Sequence, residues 1–137
     1  MNIEECSIVR LFKNYDARGN LSVIEEHKDI PFKIERVYWI YDVPGGECRG
    51  GHAYRENTEF IVAMSGSFDV TLDNGYEKKT IHLNRSYYGL LVPKGLWREM
   101  DNFSTNSLAL VLSSTKYNAT DYIRDYSEFK RYKDENK

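Results

Sequence analysis

The sequence predicts an all-β domain, a sandwich or barrel of short strands, and three observations carry that prediction. Short runs in which apolar and polar side chains alternate recur along most of the chain. Gly, Asn and Asp close these runs with residues that tolerate tight turns. Only the stretch after Thr120 changes to helical spacing, so helix is confined to the tail and the rest follows the pattern of a closed or packed sheet.

Taken in order, Ser7 to Phe12 predicts a first strand, and Asn14 to Asn20 supplies the turn that ends it. Leu21 to Glu25 begins a second strand. Pro31 lacks a backbone donor and interrupts pairing before the next. Lys33 to Tyr41 alternates, with Arg36, Tyr38 and Ile40 on one face and Val37, Trp39 and Tyr41 on the other. Both faces carry large apolar groups, so both are expected to be covered. Pro44-Gly-Gly46 forms a loop, and strands follow at Gly50 to Tyr54 and Glu59 to Met64. Ser67 to Leu72 alternates cleanly, Asp73-Asn-Gly75 is a hairpin signal, and Glu77 to Leu83 returns. Further strands are expected near Tyr88 to Val92 and Leu108 to Ser113. In the tail, Tyr122, Ile123, Tyr126, Phe129 and Tyr132 share one helical face with Thr120 as its cap, predicting a helix or two short turns. No repeat or linker divides the chain, so residues 1–137 read as one domain.

Composition removes several function classes. A net charge of −2 and a pI near 5.9 provide no basic face for non-specific nucleic-acid binding. Cys6 and Cys48 fit no CxxC spacing and suit a reducing cytoplasm. No apolar run approaches the ~20 residues that span a bilayer. The chain is 14% aromatic, and such rings serve a barrel interior or a flat ligand equally well.

The central stretch runs Gly46-Glu-Cys-Arg-Gly-Gly-His52-Ala-Tyr54-Arg-Glu-Asn-Thr-Glu59 and closes at Gly66. Its spacing resembles the first motif of the cupin barrels, with Gly46, His52, Glu59 and Gly66 in place and Tyr54 where a second histidine is usual. The companion motif resembles Pro93-Lys-Gly95-Leu-Trp97-Arg98 through Asn102, with Arg98 in a histidine position. The resemblance implies a cupin barrel (a double-stranded β-helix, jelly-roll-like) with a short C-terminal helix. A metal site needs about three or four converging lone-pair donors. Arg98 has none to give, and the Tyr54 phenol ordinarily ionises around pH 10. His52 and Glu59 alone make a weak site, so neither a metal nor another cofactor is expected.

Within the cupins the chain is similar to the sugar nucleotide 3,4-ketoisomerases that act on dTDP-4-keto-6-deoxyglucose. The matching stretches are Asp16 to Gly19, Ile30 to Tyr38, Arg49 to Ala53, Trp97 to Met100 and Thr120 to Tyr126, in order along nearly the whole chain. The resemblance implies a dTDP-linked 4-keto-6-deoxy sugar as ligand and a homodimer with exchanged N-terminal strands. It also implies a place in making a 3-amino-3,6-dideoxyhexose for surface glycans such as the O-antigen of lipopolysaccharide.

Moving a ketone from carbon 4 to carbon 3 requires a base for the carbon 3 proton and an enediol on the way. An imidazole titrating near neutrality suits the first task. The resemblance assigns it to His52, with Tyr54 as a possible relay, and Tyr38 and Arg49 are candidates for stabilising the enediolate or holding the sugar. Arginine forks grip a diphosphate best; the resemblance places Arg18 and Arg98 near the ligand, and Arg36, Glu59 and Trp97 are candidates for further ligand contacts. Each has a plainer reading. Tyr54 and Trp97 can be packing residues, Glu59 a barrel support, Arg18 a solvated turn residue and Arg36 the partner of a carboxylate. His27 and His82 lie outside the motifs and read as surface residues. A cupin 3,5-epimerase on the same kind of substrate, and a sugar-nucleotide binding module without activity, are the competing functions.

Overall fold

The structure is a computed structural model that describes residues 6–136. The predicted alternation becomes β1 (Ser7–Arg10), β2 (Phe12–Asn14), β3 (Leu21–Val23), β4 (Arg36–Tyr41), β5 (Arg49–Tyr54) and β6 (Glu59–Ser65). It continues as β7 (Phe68–Asp73), β8 (Lys78–Leu83), β9 (Tyr88–Val92), β10 (Trp97–Asp101), β11 (Leu108–Ser113) and β12 (Tyr122–Ile123), followed by α1 (Tyr126–Glu135). One five-stranded sheet has the order β1-β9-β6-β11-β4 and the other β12-β5-β10-β7-β8. All their pairings are antiparallel. Neighbours distant in sequence pair within each sheet, the connectivity of a jelly roll.

Alternation fixes what each strand buries. From β6, Ile61 and Ala63 join Phe68, Val70, Leu90, Met100 and Val111 in the main core. Phe60 and Val62 turn the other way, onto a second cluster with Leu11, Ile30 and Phe32. That two-sided burial explains why Phe-Ile-Val-Ala is a continuous apolar run. A third cluster of Ala53, Trp97, Ile123 and Phe129 seats α1 on the second sheet.

The hairpin signal is realised between β7 and β8. Gly75 takes φ of 96°, and the Asn74 side-chain oxygen accepts from the backbone N–H groups of Tyr76 and Glu77. Gly66 closes the first motif at φ of 67°, where a Cβ would lie 2.9 Å from the Ser107 Cα, so both conformation and space require glycine.

Four expectations are corrected. Ser7 to Phe12 is two strands, broken at Leu11, whose N–H donates to the Tyr87 carbonyl outside the main ladder. The outer face of β4 is uncovered within this chain, with Val37, Trp39 and Tyr41 exposed. Trp97–Asp101 forms an unforeseen strand, β10. The tail does not begin its helix at Thr120: Ala119–Asp121 is one 3-10 turn capped by Asn118, and Tyr122–Ile123 pairs with β5. Asp125 then caps α1 by accepting from Ser127 and Glu128.

Candidate active site

The inward faces of four strands converge at one end of the barrel. Alternation on β5 sends His52 and Tyr54 inward while Ala53 joins the cluster under α1. On β10, Arg98 points inward between outward Trp97 and Glu99. β4 contributes Arg36 and Tyr38, and β12 contributes Tyr122, which lies opposite Tyr54 in the ladder. Between β5 and β10 the register shifts: Arg98 faces His52, yet Met100 faces Arg49. This β-bulge adds one residue to β5 and so brings Arg49 to the cavity side, a common use of bulges beside functional sites. Together these residues line a cavity of about 710 Å³ that also reaches Tyr117 and Arg124.

Beneath the cavity lies a buried ion pair. The Arg98 Nε donates to Glu59 Oε1 at 2.7 Å, its NH2 donates to the Tyr38 hydroxyl at 2.7 Å, and both charged side chains are 1% exposed. Tyr38 in turn donates to Glu59 Oε2, and the Ser113 hydroxyl lies 3.4 Å from the same oxygen. Burial works against the Arg98 charge, but Glu59 more than offsets it and holds the guanidinium protonated. Burial, reinforced by the Glu59 carboxylate, pushes the Tyr38 phenol well above its ordinary range. Tyr38 is thus a permanent hydrogen-bond donor.

Above this pair sits His52, 7% exposed, with its Nε2 buried and unpartnered among the described residues. Burial, then the charges of Arg98, Arg124 and Arg36, lower its pKa to about 3, so the imidazole is neutral. Its ring centroid is 4.8 Å from that of Tyr54 and 5.0 Å from that of Tyr122, and the two tyrosine rings are 4.7 Å apart. The Tyr54 hydroxyl donates to the Tyr122 oxygen at 3.4 Å, and Arg36 NH1 donates to the same oxygen at 3.4 Å. Burial, with Glu59 nearby, raises the Tyr54 phenol. Arg124 stacks on Tyr122, its guanidinium carbon 4.2 Å from the ring centre. Among the described residues the lining contains four arginines and no carboxylate, and Arg98 is already neutralised by Glu59. The available positive charge therefore comes from Arg36, Arg49 and Arg124.

Of the residues singled out by sequence, the structure brings His52, Tyr54, Tyr38, Arg49, Arg36 and Arg98 to the cavity. Three of the five Arg98 N–H groups donate within the protein, to Glu59, to Tyr38 and to the Met100 sulfur at 3.1 Å. Glu59 lies below the lining as its counter-ion. Trp97 belongs to the cluster under α1, edge-on to Tyr126 and tilted against Phe129. Arg18 is placed in the turn between β2 and β3, its side chain 90% exposed and paired with Asp16 at 2.8 Å. His82 is exposed and bonded to Asp69. Sequence reasoning missed Tyr122, Arg124 and Tyr117. The stretch Thr120 to Tyr126 did carry a signal, which reading it as helix concealed. Among the described residues no group of three or more His, Cys, Asp or Glu side chains is gathered to hold a metal ion.

A family model described as FdtA: WxcM-like, C-terminal, matches residues 4–134. The TDP-4-oxo-6-deoxy-alpha-D-glucose-3,4-oxoisomerase of Aneurinibacillus thermoaerophilus is 43% identical over 128 residues, covering 93% of this chain and 92% of that protein. A 3,4-ketoisomerase from Helicobacter canadensis superposes with a TM-score of 0.93 at 42% identity, over 95% of this chain and 98% of that one. The sugar 3,4-ketoisomerase QdtA from Thermoanaerobacterium thermosaccharolyticum, solved in complex with TDP, superposes with a TM-score of 0.95 at 32% identity, over 98% of each chain.

Proposed function

Because the chain belongs to the FdtA family (WxcM-like, C-terminal), we propose that it is a sugar nucleotide 3,4-ketoisomerase converting dTDP-4-keto-6-deoxyglucose to a dTDP-3-keto-6-deoxyhexose. The observation that carries the reading is the neutral His52 imidazole, its Nε2 unpartnered, in a cavity ringed by arginines. Arg36, Arg49 and Arg124 supply the charge a diphosphate requires. With the nucleotide held, the carbon 4 carbonyl acidifies the hydrogen on carbon 3, and His52 removes it. Negative charge moves onto the carbon 4 oxygen, where fixed donors stabilise the enediolate. Arg49 supplies the positive charge for this from the cavity side of β5, while Tyr38, whose one O–H goes to Glu59, and the ion-paired Arg98 form a rigid floor beneath it. His52 then returns the proton to carbon 4 while the carbon 3 hydroxyl becomes the ketone, and Tyr54 serves as a proton relay between the two oxygens. No step in this scheme draws on a metal, because Tyr54 and the ion-paired Arg98 stand where the cupin motifs place histidine ligands.

A 3-ketone is what an aminotransferase needs to install nitrogen at carbon 3, which supports a place in making 3-amino-3,6-dideoxyhexoses for surface glycans. The exposed Val37, Trp39 and Tyr41 on edge strand β4 support a homodimer, and two free thiols suit the cytoplasm.

The test is incubation with dTDP-4-keto-6-deoxyglucose followed by NMR of the product. A 3-keto sugar nucleotide is expected. An epimer at carbon 3 or 5, or tight binding with no proton exchange, would replace the reading with one of its competitors. His52→Asn should bind TDP with unchanged affinity and turn over about 10²–10⁴-fold more slowly, the usual contribution of a positioned acid or base.

A further inference from the structure

The first motif departs from its usual histidine pair at Tyr54, and the structure sets a second phenol, Tyr122, beside it. β12 exists to deliver the second. Its two residues pair with β5 so that Ile123 enters the cluster under α1 and Tyr122 turns into the cavity opposite Tyr54. The rings of His52, Tyr54 and Tyr122 pack as a triangle with centroid separations of 4.7 to 5.0 Å. A substrate held at the imidazole therefore lies beside both phenols, whose hydroxyls meet in the same side-chain cluster. Those hydroxyls are 3.4 Å apart and already bonded, Tyr54 donating to Tyr122. Vicinal sugar oxygens have a comparable separation, so the pair can meet one oxygen each.

We propose that Tyr122 is a second proton carrier of the isomerase, donating to the carbon 4 oxygen and refilled through Tyr54 from the carbon 3 hydroxyl. This rests on the ketoisomerase reading of the same cavity. The protons balance within one turnover. His52 takes the carbon 3 hydrogen, and the electron pair of that bond moves through carbon 4 onto its oxygen. The Tyr122 O–H bond breaks and its proton joins that oxygen, giving the enediol. Tyr122 recovers a proton from Tyr54, and Tyr54 takes one from the carbon 3 hydroxyl. As the carbon 3 carbonyl forms, the imidazolium returns its proton to carbon 4, and all three side chains regain their starting state. No oxidant, reductant or water is consumed.

The asymmetry of the two phenols sets the direction. Tyr122 faces Arg36 at 3.4 Å and carries Arg124 over its ring, so charge left by donation is met by two cations. Tyr54 is buried with Glu59 and Tyr38 nearby and resists losing its proton without replacement. It suits the middle of a chain, where proton loss and gain are concerted.

The test follows two signals in deuterated water with dTDP-4-keto-6-deoxyglucose: loss of the carbon 3 proton from the substrate, and appearance of the 3-keto product. Tyr122→Phe keeps the ring packing and removes the oxygen. It should retain TDP affinity within about threefold, slow product formation by about 100-fold or more, the usual range for a positioned acid, and slow carbon 3 exchange by less than about tenfold. Such a split reports a base that still works and a relay that does not. Tyr54→Phe should behave alike, and the double variant should be no worse than the slower single one within about threefold, as expected of residues acting as a unit. Wild-type product formation in Tyr122→Phe, an equal loss of exchange and product, or multiplying losses in the double variant overturns the relay alone. A wild-type protein that makes no 3-keto product overturns the isomerase reading and the relay with it.

Discussion

Arg98 occupies a position that its motif gives to histidine, and its chemistry follows from its burial rather than from its charge. An isolated guanidinium in the interior would cost several kcal/mol, so it persists only because Glu59 and Tyr38 take its donors. The sequence places Arg98 in the site but conceals that its charge is neutralised, because Glu59 lies 39 residues away and meets it only when the two sheets face each other. Removing one partner of such a pair costs about 3–5 kcal/mol, whereas replacing both with apolar groups of similar volume is often neutral. Glu59→Gln should therefore lose about 3–5 kcal/mol in urea unfolding, and Glu59→Leu with Arg98→Met should recover most of that loss. If Glu59→Gln unfolds at the wild-type midpoint, the pair is not what holds the guanidinium in place.

At the scale of elements, β9 shows how two paired strands of one sheet are fitted. A Cβ on Gly89 would lie 2.7 Å from the Phe60 Cε2 and 2.8 Å from the Ile61 carbonyl oxygen. That oxygen belongs to the neighbouring strand and cannot move aside. Gly89→Ala should therefore destabilise by about 1–3 kcal/mol, the range for overpacking, visible as a lower calorimetric midpoint, while an unchanged midpoint would show that the sheet can part there. Most strands were legible because one face of each is apolar. The two that were missed lacked that signal for different physical reasons. β10 buries a charged Arg98 on its inner face and carries Glu99 and Asp101 on its outer one, so its alternation is not one of hydropathy. β12 is two residues long and is a strand only through its pairing with β5. Tyr122, Tyr126 and Phe129 are spaced as helix residues, and the local pattern cannot reveal that the chain first makes a turn and a bridge. That single misreading hid Tyr122 and Arg124 from the site. Arg49 reached the cavity through a bulge, which local sequence does not encode.

For the molecule as a whole, the cavity is a concentration of positive charge and buried polar groups within a chain of net charge −2, and this couples stability to pH through His52. Its folded pKa of about 3 lies below the ordinary 6.5 because of burial and then Arg98, Arg124 and Arg36. Above pH 6.5 the imidazole is neutral in both folded and unfolded chains and adds no slope. Between about 3 and 6.5 the unfolded chain binds a proton that the folded protein refuses, so stability rises with pH, by at most about 1.4 kcal/mol per pH unit from this one group. His52→Asn removes the titration. Its unfolding free energy should depend less steeply on pH than that of the wild type between about pH 4 and 6, and the two dependences should run parallel above pH 7. Saturating TDP supplies the test of cause. A diphosphate beside Arg36 and Arg124 cancels part of their repulsion of a proton on His52 and moves the folded pKa back toward its ordinary value. With TDP bound, the difference in slope between wild type and His52→Asn should narrow. Equal slopes without ligand would mean that the buried imidazole is not held neutral, and a difference that TDP leaves unchanged would assign the depression to burial alone.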